Sequence, residues 1–175
     1  MRQTLAAVLL LCTGAAHTAT PVLVVDLSEA YTRSTALAGL LADVDRELQA
    51  LSRRHRPELE RLTAEMRELK QAGGATRDRQ LQVIRRINEI ETEAEREQER
   101  LSEANQRAIA EVDAAIAEVK KLLKSERAAA AVLDIQETQY VRPDCDCLVS
   151  DDLYRLLNER LPEVSLDLDP PGAGS

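Results

Sequence analysis

The apolar positions of this chain fall into two long helical stripes flanked by short strand-like runs. In the first stripe Leu37, Leu41, Val44, Leu48 and Leu51, then Leu59, Leu62, Met66 and Leu69, recur at spacings that mostly alternate four and three, the period of a coiled-coil seam. From Leu51 to Leu62 the seam takes eleven residues, through His55 and Leu59. That is a four-residue insertion, which locally relaxes a supercoil. Pro57 lies inside it; an interior proline removes one helix hydrogen bond and clashes with the preceding turn, so a kink is expected there, either a tolerated irregularity or a hinge at Pro57. The second stripe reads Ile84, Ile87, Glu91, Ala94, Gln98, Leu101, Asn105, Ala108, Val112, Ala115, Val119 and Leu122, apolar at both ends and polar in the middle. A run such as Glu89 to Glu97 cannot bury a continuous stripe, so the two arms are expected to part or face water there. Between the stripes, Gln71-Ala72-Gly73-Gly74-Ala75-Thr76 carries the one adjacent glycine pair and predicts a helical hairpin over 37–127. The returning helix, from about Arg77 to about Ala130, would project roughly 75 Å at about 1.5 Å per residue.

The ends of the chain read differently. Pro21 to Leu27 is a β-branched strand, with Ser28 and Glu29 placed to open the first helix. Ala131 to Ile135 and Thr138 to Val141 predict a second and third strand about Gln136-Glu137. Ser150 or Asp151 caps a short helix from Asp152 to Leu161, stopped by Pro162. Residues 20–36 and 128–165 thus form a small body at the base of the hairpin, followed by a flexible tail over 166–175. So small a sheet is marginal alone, and oligomerisation through Val22, Val24, Leu133, Ile135 and Tyr140 is the expected remedy.

Composition agrees with a long helical molecule. Ala, Leu, Glu, Lys and Arg supply 93 of the 175 residues, while there are three Tyr and no Phe or Trp, which disfavours a thick core and an ordinary pocket enzyme. At the N-terminus Arg2 precedes a short apolar run from Leu5 to Ala16, read as a secretory signal peptide over 1–19 with cleavage after Ala16 or Ala19. The run is too short to span a bilayer. Cys12 raises a lipoprotein reading, against which Leu11 stands where a small residue is expected.

Beyond the leader the chain carries 22 basic and 31 acidic residues, and the excess lies at the end: residues 128–175 carry −7. That balance offers no basic stripe for nucleic acid. One basic feature stands out, a local +4 over 67–86 from Arg67, Lys70, Arg77, Arg79, Arg85 and Arg86 against Glu68 and Asp78. Such a tip suits anionic clients or an anionic membrane surface, with a solvated turn as the plain alternative.

Candidate chemistry is sparse. In an oxidising compartment Cys145 and Cys147 leave three readings open: a disulfide within the pair, links between subunits, or two free thiols. Asp144-Cys145-Asp146-Cys147 lacks a nearby histidine for a metal site, and Val149 stands where a calcium loop needs glycine. Few histidines, no glycine-rich phosphate loop and acids spread over helix faces argue against an enzyme, a cofactor or a metal.

The first strand ending Val24-Val25-Asp26-Leu27, the turn Lys70 to Asp78 and the closing strand, strand and helix from Ala131 to Leu161 together resemble the Skp/OmpH family of periplasmic chaperones. The likeness covers residues 21 to 165 and rests on the order of elements. It implies a mostly α fold with a small β body, a long coiled-coil hairpin projecting from an oligomeric β-barrel with three strands per subunit. It also implies a homotrimer whose arms enclose a cavity that holds unfolded outer-membrane proteins without ATP. Clients would be held by Leu59, Met66, Leu69, Leu81, Ile84 and Ile87. The alternative is a periplasmic adaptor or scaffold binding one fixed envelope partner. The chain departs from the basic members of the family in its acidity, its Cys145-Asp146-Cys147 segment and its tail.

Overall fold

The computed structural model describes residues 20–72, 77–138 and 145–168. Strand β1 (Val22–Val25) leads into a one-turn helix α1 (Ala30–Arg33), then the long helices α2 (Thr35–Ala72) and α3 (Arg77–Glu126), strand β2 (Ala131–Asp134) and helix α4 (Ser150–Arg160). The 38 and 50 residues of α2 and α3 make an arm whose helices run about 57 and 75 Å. Both are built from strong helix formers, with Asp78 in the first turn of α3 and Lys124 in its last, each matching the helix dipole. α3 stops where Ala128 takes a left-handed conformation, φ 48°, and the amide of Ala129 donates back to the Lys124 carbonyl at 2.9 Å.

The strands pair in parallel, Val22 opposite Ala131 and Val25 opposite Asp134. Parallel neighbours need a long crossover, and here the entire hairpin is that crossover. Of the predicted third strand over 138–141, only Thr138 lies among the described residues. Ile135–Glu137 is a 3-10 turn closed by a capping box from Asp134 and Glu137, Thr138 lies outside any strand, and residues 139–141 fall outside the described residues. The other edge of β1 is taken by Cys147 to Val149. Val24 N–H donates to the Cys147 carbonyl at 2.8 Å, and Val149 N–H donates to the Val24 carbonyl at 2.9 Å. Three residues on one bridge carry too little alternation to read as a strand.

The main core lies at the base. Leu23 and Val25 of β1, Leu37 and Leu40 of α2, Val112, Val119 and Leu123 of α3, and Leu153, Tyr154 and Leu157 of α4 are all buried together. Each such side chain contributes about 1.5–3 kcal/mol by leaving water. Polar joints fix the elements around it. Ser150 does not cap α4; its Oγ accepts the Asp26 N–H at 2.8 Å. Ser28 does not cap α1 either: its hydroxyl and amide both donate to the Asp26 carboxylate, at 2.6 and 2.9 Å, and hold that carboxyl below its usual range. Asn158 spans the break between α1 and α2, accepting the Thr35 N–H and donating to the Arg33 carbonyl, both at 2.9 Å. The Tyr154 hydroxyl donates to the Asp26 carbonyl at 2.6 Å beneath the Arg33 guanidinium, and burial pushes its pKa up to about 12.

After α4 the chain turns along the arm. Thr35 Oγ1 donates to the Pro162 carbonyl at 2.8 Å, Val164 is buried in the base core, Leu166 packs against it, and Arg107 donates to the Asp167 carbonyl at 2.9 Å. Residues 166–168 of the expected flexible tail are thus laid against the hairpin, because alternate apolar side chains find the core. Residues 169–175 lie outside the described residues. Among the described residues no helix is long and apolar enough to cross a membrane.

Candidate functional site

The arm has three zones, set by which residues the helices turn inward. At its far end Leu62, Val83 and Ile90 are buried, with Leu59, Met66, Leu69 and Ile87 packed around them. At every other position the inward set of α3 is therefore one residue earlier than the seam, Val83 for Ile84, Ile90 for Glu91 and Glu97 for Gln98, while Ile87, Ala94 and Leu101 are shared. Val83, Ile87, Ile90, Ala94, Glu97 and Leu101 turn inward, and Ile84 stays 45% exposed. Apolar residues at both 83 and 84 made either phase readable, and the packing of Ile90 decides it.

That shift changes the middle of the arm. In place of parted helices, Glu97 points between them and is met by α2. Arg54 Nη1 reaches both carboxylate oxygens at 2.7 Å, and His55 Nε2 lies 3.2 Å from Oε2. His55 is only 8% exposed. Burial alone would raise the Glu97 pKa, but the hydrogen bonds from His55 and Arg54 outweigh it and hold the carboxyl below its usual range. The insertion in the first stripe, at His55, marked this place without showing its partner. α2 runs unbroken through Pro57, two residues further on.

Beside this polar node an open groove of about 540 Å³ is lined by Leu48, Leu51, Leu59 and Ala94, with Arg56, Glu60 and Arg67 along its rim. Leu41 and Leu48, read above as seam residues, are 57% and 44% exposed, while Leu40, Val44 and Leu51 turn inward. Leu41 lines a smaller recess with Tyr31 and Ile109 near the body. An apolar strip therefore runs from the body to the middle of the arm.

The six expected client-binding residues divide. Leu59 lines the groove, and Leu81 and Ile84 are exposed near the tip. Met66, Leu69 and Ile87 are half-buried in holding the two helices together. Leu41 and Leu48 are the exposed apolar residues missed, since a heptad template assigns them to the interior.

The basic tip is partly neutralised from across the arm. Arg79 pairs with Glu65 at 2.6 Å and Arg86 with Glu58 at 3.0 Å across the arm, and Arg86 also pairs with Glu89 of its own helix at 3.2 Å. Arg67, Lys70, Arg77 and Arg85 are exposed and make no ion pair among the described residues. Glu58 and Glu65 lie outside the 67–86 window, so a linear charge count misses them.

Of the expected interface residues, Val22 is 42% exposed, Leu133 and Ile135 are half-buried, and Tyr140 lies outside the described residues. Val24 is 5% exposed and covered by its own chain, so it belongs to the subunit interior. Cys145 and Cys147 are joined in a disulfide. Among the described residues no three His, Cys, Asp or Glu side chains converge to hold a metal ion.

This architecture has a solved counterpart. The chain is similar to the crystal structure of a protein from Caulobacter crescentus CB15 proposed to be an OmpH-like outer membrane chaperone, with a TM-score of 0.63 over 83% of this chain and 88% of that one. The fold is OmpH-like. At 14% identity the likeness is one of fold. No protein-family model matches the chain, and no curated protein matches it.

Proposed function

We propose that this chain is an ATP-independent periplasmic holdase that binds unfolded outer-membrane proteins between the helical arms of a homotrimer. The observation that carries this reading is the exposed apolar strip of Leu41 and Leu48, continuous with the Leu59 groove, on an arm of OmpH-like fold. A strip of leucines with a single tyrosine, Tyr31, at its body end favours many weak contacts over one tight pocket, which suits promiscuous capture. Arg67, Lys70, Arg77 and Arg85 would steer anionic clients or touch an anionic membrane surface, and Pro57 would let the arm flex. Trimerisation is supported by the small size of a sheet with two strands and by Val22 on the surface of the body. Nothing in this reading requires catalysis, a cofactor or nucleic acid.

The test is dilution of a urea-unfolded outer-membrane protein into buffer containing the full chain without ATP, followed by light scattering, with the mass of the complex measured alongside. Suppressed aggregation at near-stoichiometric chain, by a species of three copies, is expected. Leu41→Ser with Leu48→Ser, at exposed positions, should weaken suppression while leaving helix content unchanged. Binding of one folded envelope protein with no effect on aggregation would establish the adaptor reading instead.

A further inference from the structure

The Cys145–Cys147 disulfide closes only three residues, the loop size for which a cross-link restricts the unfolded chain least. The loop is already fixed without it. Cys147 and Val149 are hydrogen-bonded to both sides of Val24, and Leu148 N–H donates to the Cys145 carbonyl at 3.0 Å. A bond that adds little as a staple is nevertheless reachable: both cysteines are only half-buried and Asp146 between them is exposed. Exposed disulfides are the labile and exchange-active ones.

The two sulfurs are also unequal. The Cys147 amide donates to Cys145 Sγ at 3.2 Å. A hydrogen bond to sulfur stabilises negative charge there, which makes Cys145 the better leaving thiolate and directs an incoming nucleophile to Cys147 Sγ. The Asp146 carboxylate opposes either thiolate, but its exposed charge is screened by water whereas the amide contact is direct.

We propose that Cys145–Cys147 is a thiol–disulfide exchange site that oxidises thiols, with Cys147 the sulfur attacked. A donor thiolate bonds to Cys147 Sγ as the Cys147–Cys145 bond breaks, and Cys145 leaves as a thiolate that takes a proton from water. A second donor thiolate then attacks the donor sulfur of the mixed disulfide and releases Cys147, which is protonated in turn. Two electrons and two protons pass from a pair of donor thiols to the protein, leaving a donor disulfide. The donor is either a small thiol or a pair of cysteines on an unfolded chain, and exchange with the former does not depend on the holdase reading.

The experiment uses the full chain carrying Cys12→Ala, so that Cys145 and Cys147 are its only cysteines. It is equilibrated with mixtures of reduced and oxidised glutathione, quenched in acid, alkylated and mapped by fragment mass. Populated dithiol, with the glutathione adduct at least tenfold more abundant on Cys147 than on Cys145, is expected. A second arm offers a reduced unfolded polypeptide with two cysteines, beside the same polypeptide with serines. Its oxidation in step with loss of the Cys145–Cys147 bond places the donor on the client; oxidation of glutathione alone places it on small thiols. A pair that stays fully disulfide-bonded across the whole glutathione range overturns the site, and adduct equal on the two sulfurs overturns its polarity.

Discussion

The base and the tip of the arm use the same residue types to opposite ends. At the base, sixteen buried side chains from both strands' surroundings, all four helices and the chain after α4 share one core. Near the tip, among the described residues, Leu62, Val83 and Ile90 are buried and the apolar side chains packed around them are half-buried. The base gains from helices meeting on several sides, whereas near the tip, among the described residues, the arm is two helices packed on each other alone. A two-helix arm can cover only one stripe per helix, so its remaining leucines are left on the surface. The difference teaches that the fold is held at one end and leaves apolar surface along the other.

The largest effect should come from the base. Leu157→Ala opens a cavity in a fully buried site of α4, and a loss of about 2–5 kcal/mol is expected in urea unfolding followed by circular dichroism. Leu62→Ala at the tip should cost less, about 2 kcal/mol at most, because water and neighbouring side chains can fill the gap. Its signature should be local: faster amide exchange over 59–69 and 81–90, with the base unchanged. Equal global losses at the two sites would erase the contrast between them.

The polar node lies between these extremes and has a pH signature. Glu97 is held below its ordinary value of 4.5, so its contribution is present above that value and is lost as pH falls through the lower folded value. Glu97→Gln should flatten the acid dependence of arm stability below about pH 4.5 while removing one ionic contact at neutral pH. An unchanged acid profile would mean that the node is not what joins the middle of the arm.

Smaller effects sharpen the comparison. Ala128→Gly, where α3 ends in a left-handed residue, should stabilise the base by about 1 kcal/mol, since alanine is strained there and glycine is not. Arg79→Ala removes an exposed pair with Glu65 and should change stability by only about 0.5 kcal/mol. Arg77→Ala with Arg85→Ala, at exposed tip residues, should slow the low-salt capture of anionic clients more than it affects their release.

Much of this contrast was readable in the sequence, though not all for the same reason. Glycine at 73 and 74 with unbroken helix formers on both sides placed the ends of α2 and α3 close to Ala72 and Arg77, and Val22–Val25 stood out as a β-branched run. Phase was harder. With apolar residues at 83, 84, 87 and 90, spacing alone could not choose between Val83 and Ile84, and the wrong choice put Glu91 and Gln98 inside in place of Ile90 and Glu97. The same template hid Leu41 and Leu48 in the seam. Pairings distant in sequence, such as Arg54 with Glu97 or Val24 with Cys147 and Val149, leave no local pattern to read. The course of Val164 to Leu168 along the arm likewise depends on a core assembled from segments more than a hundred residues apart.

The most direct measurement is hydrogen–deuterium exchange of the full chain with and without a bound unfolded outer-membrane protein. Client protection should appear along 41–67 and 81–98, where apolar side chains are left exposed, with exchange in β1, β2 and α4 unchanged. Protection confined to the body, or none on the arm while the client is bound, would contradict the account.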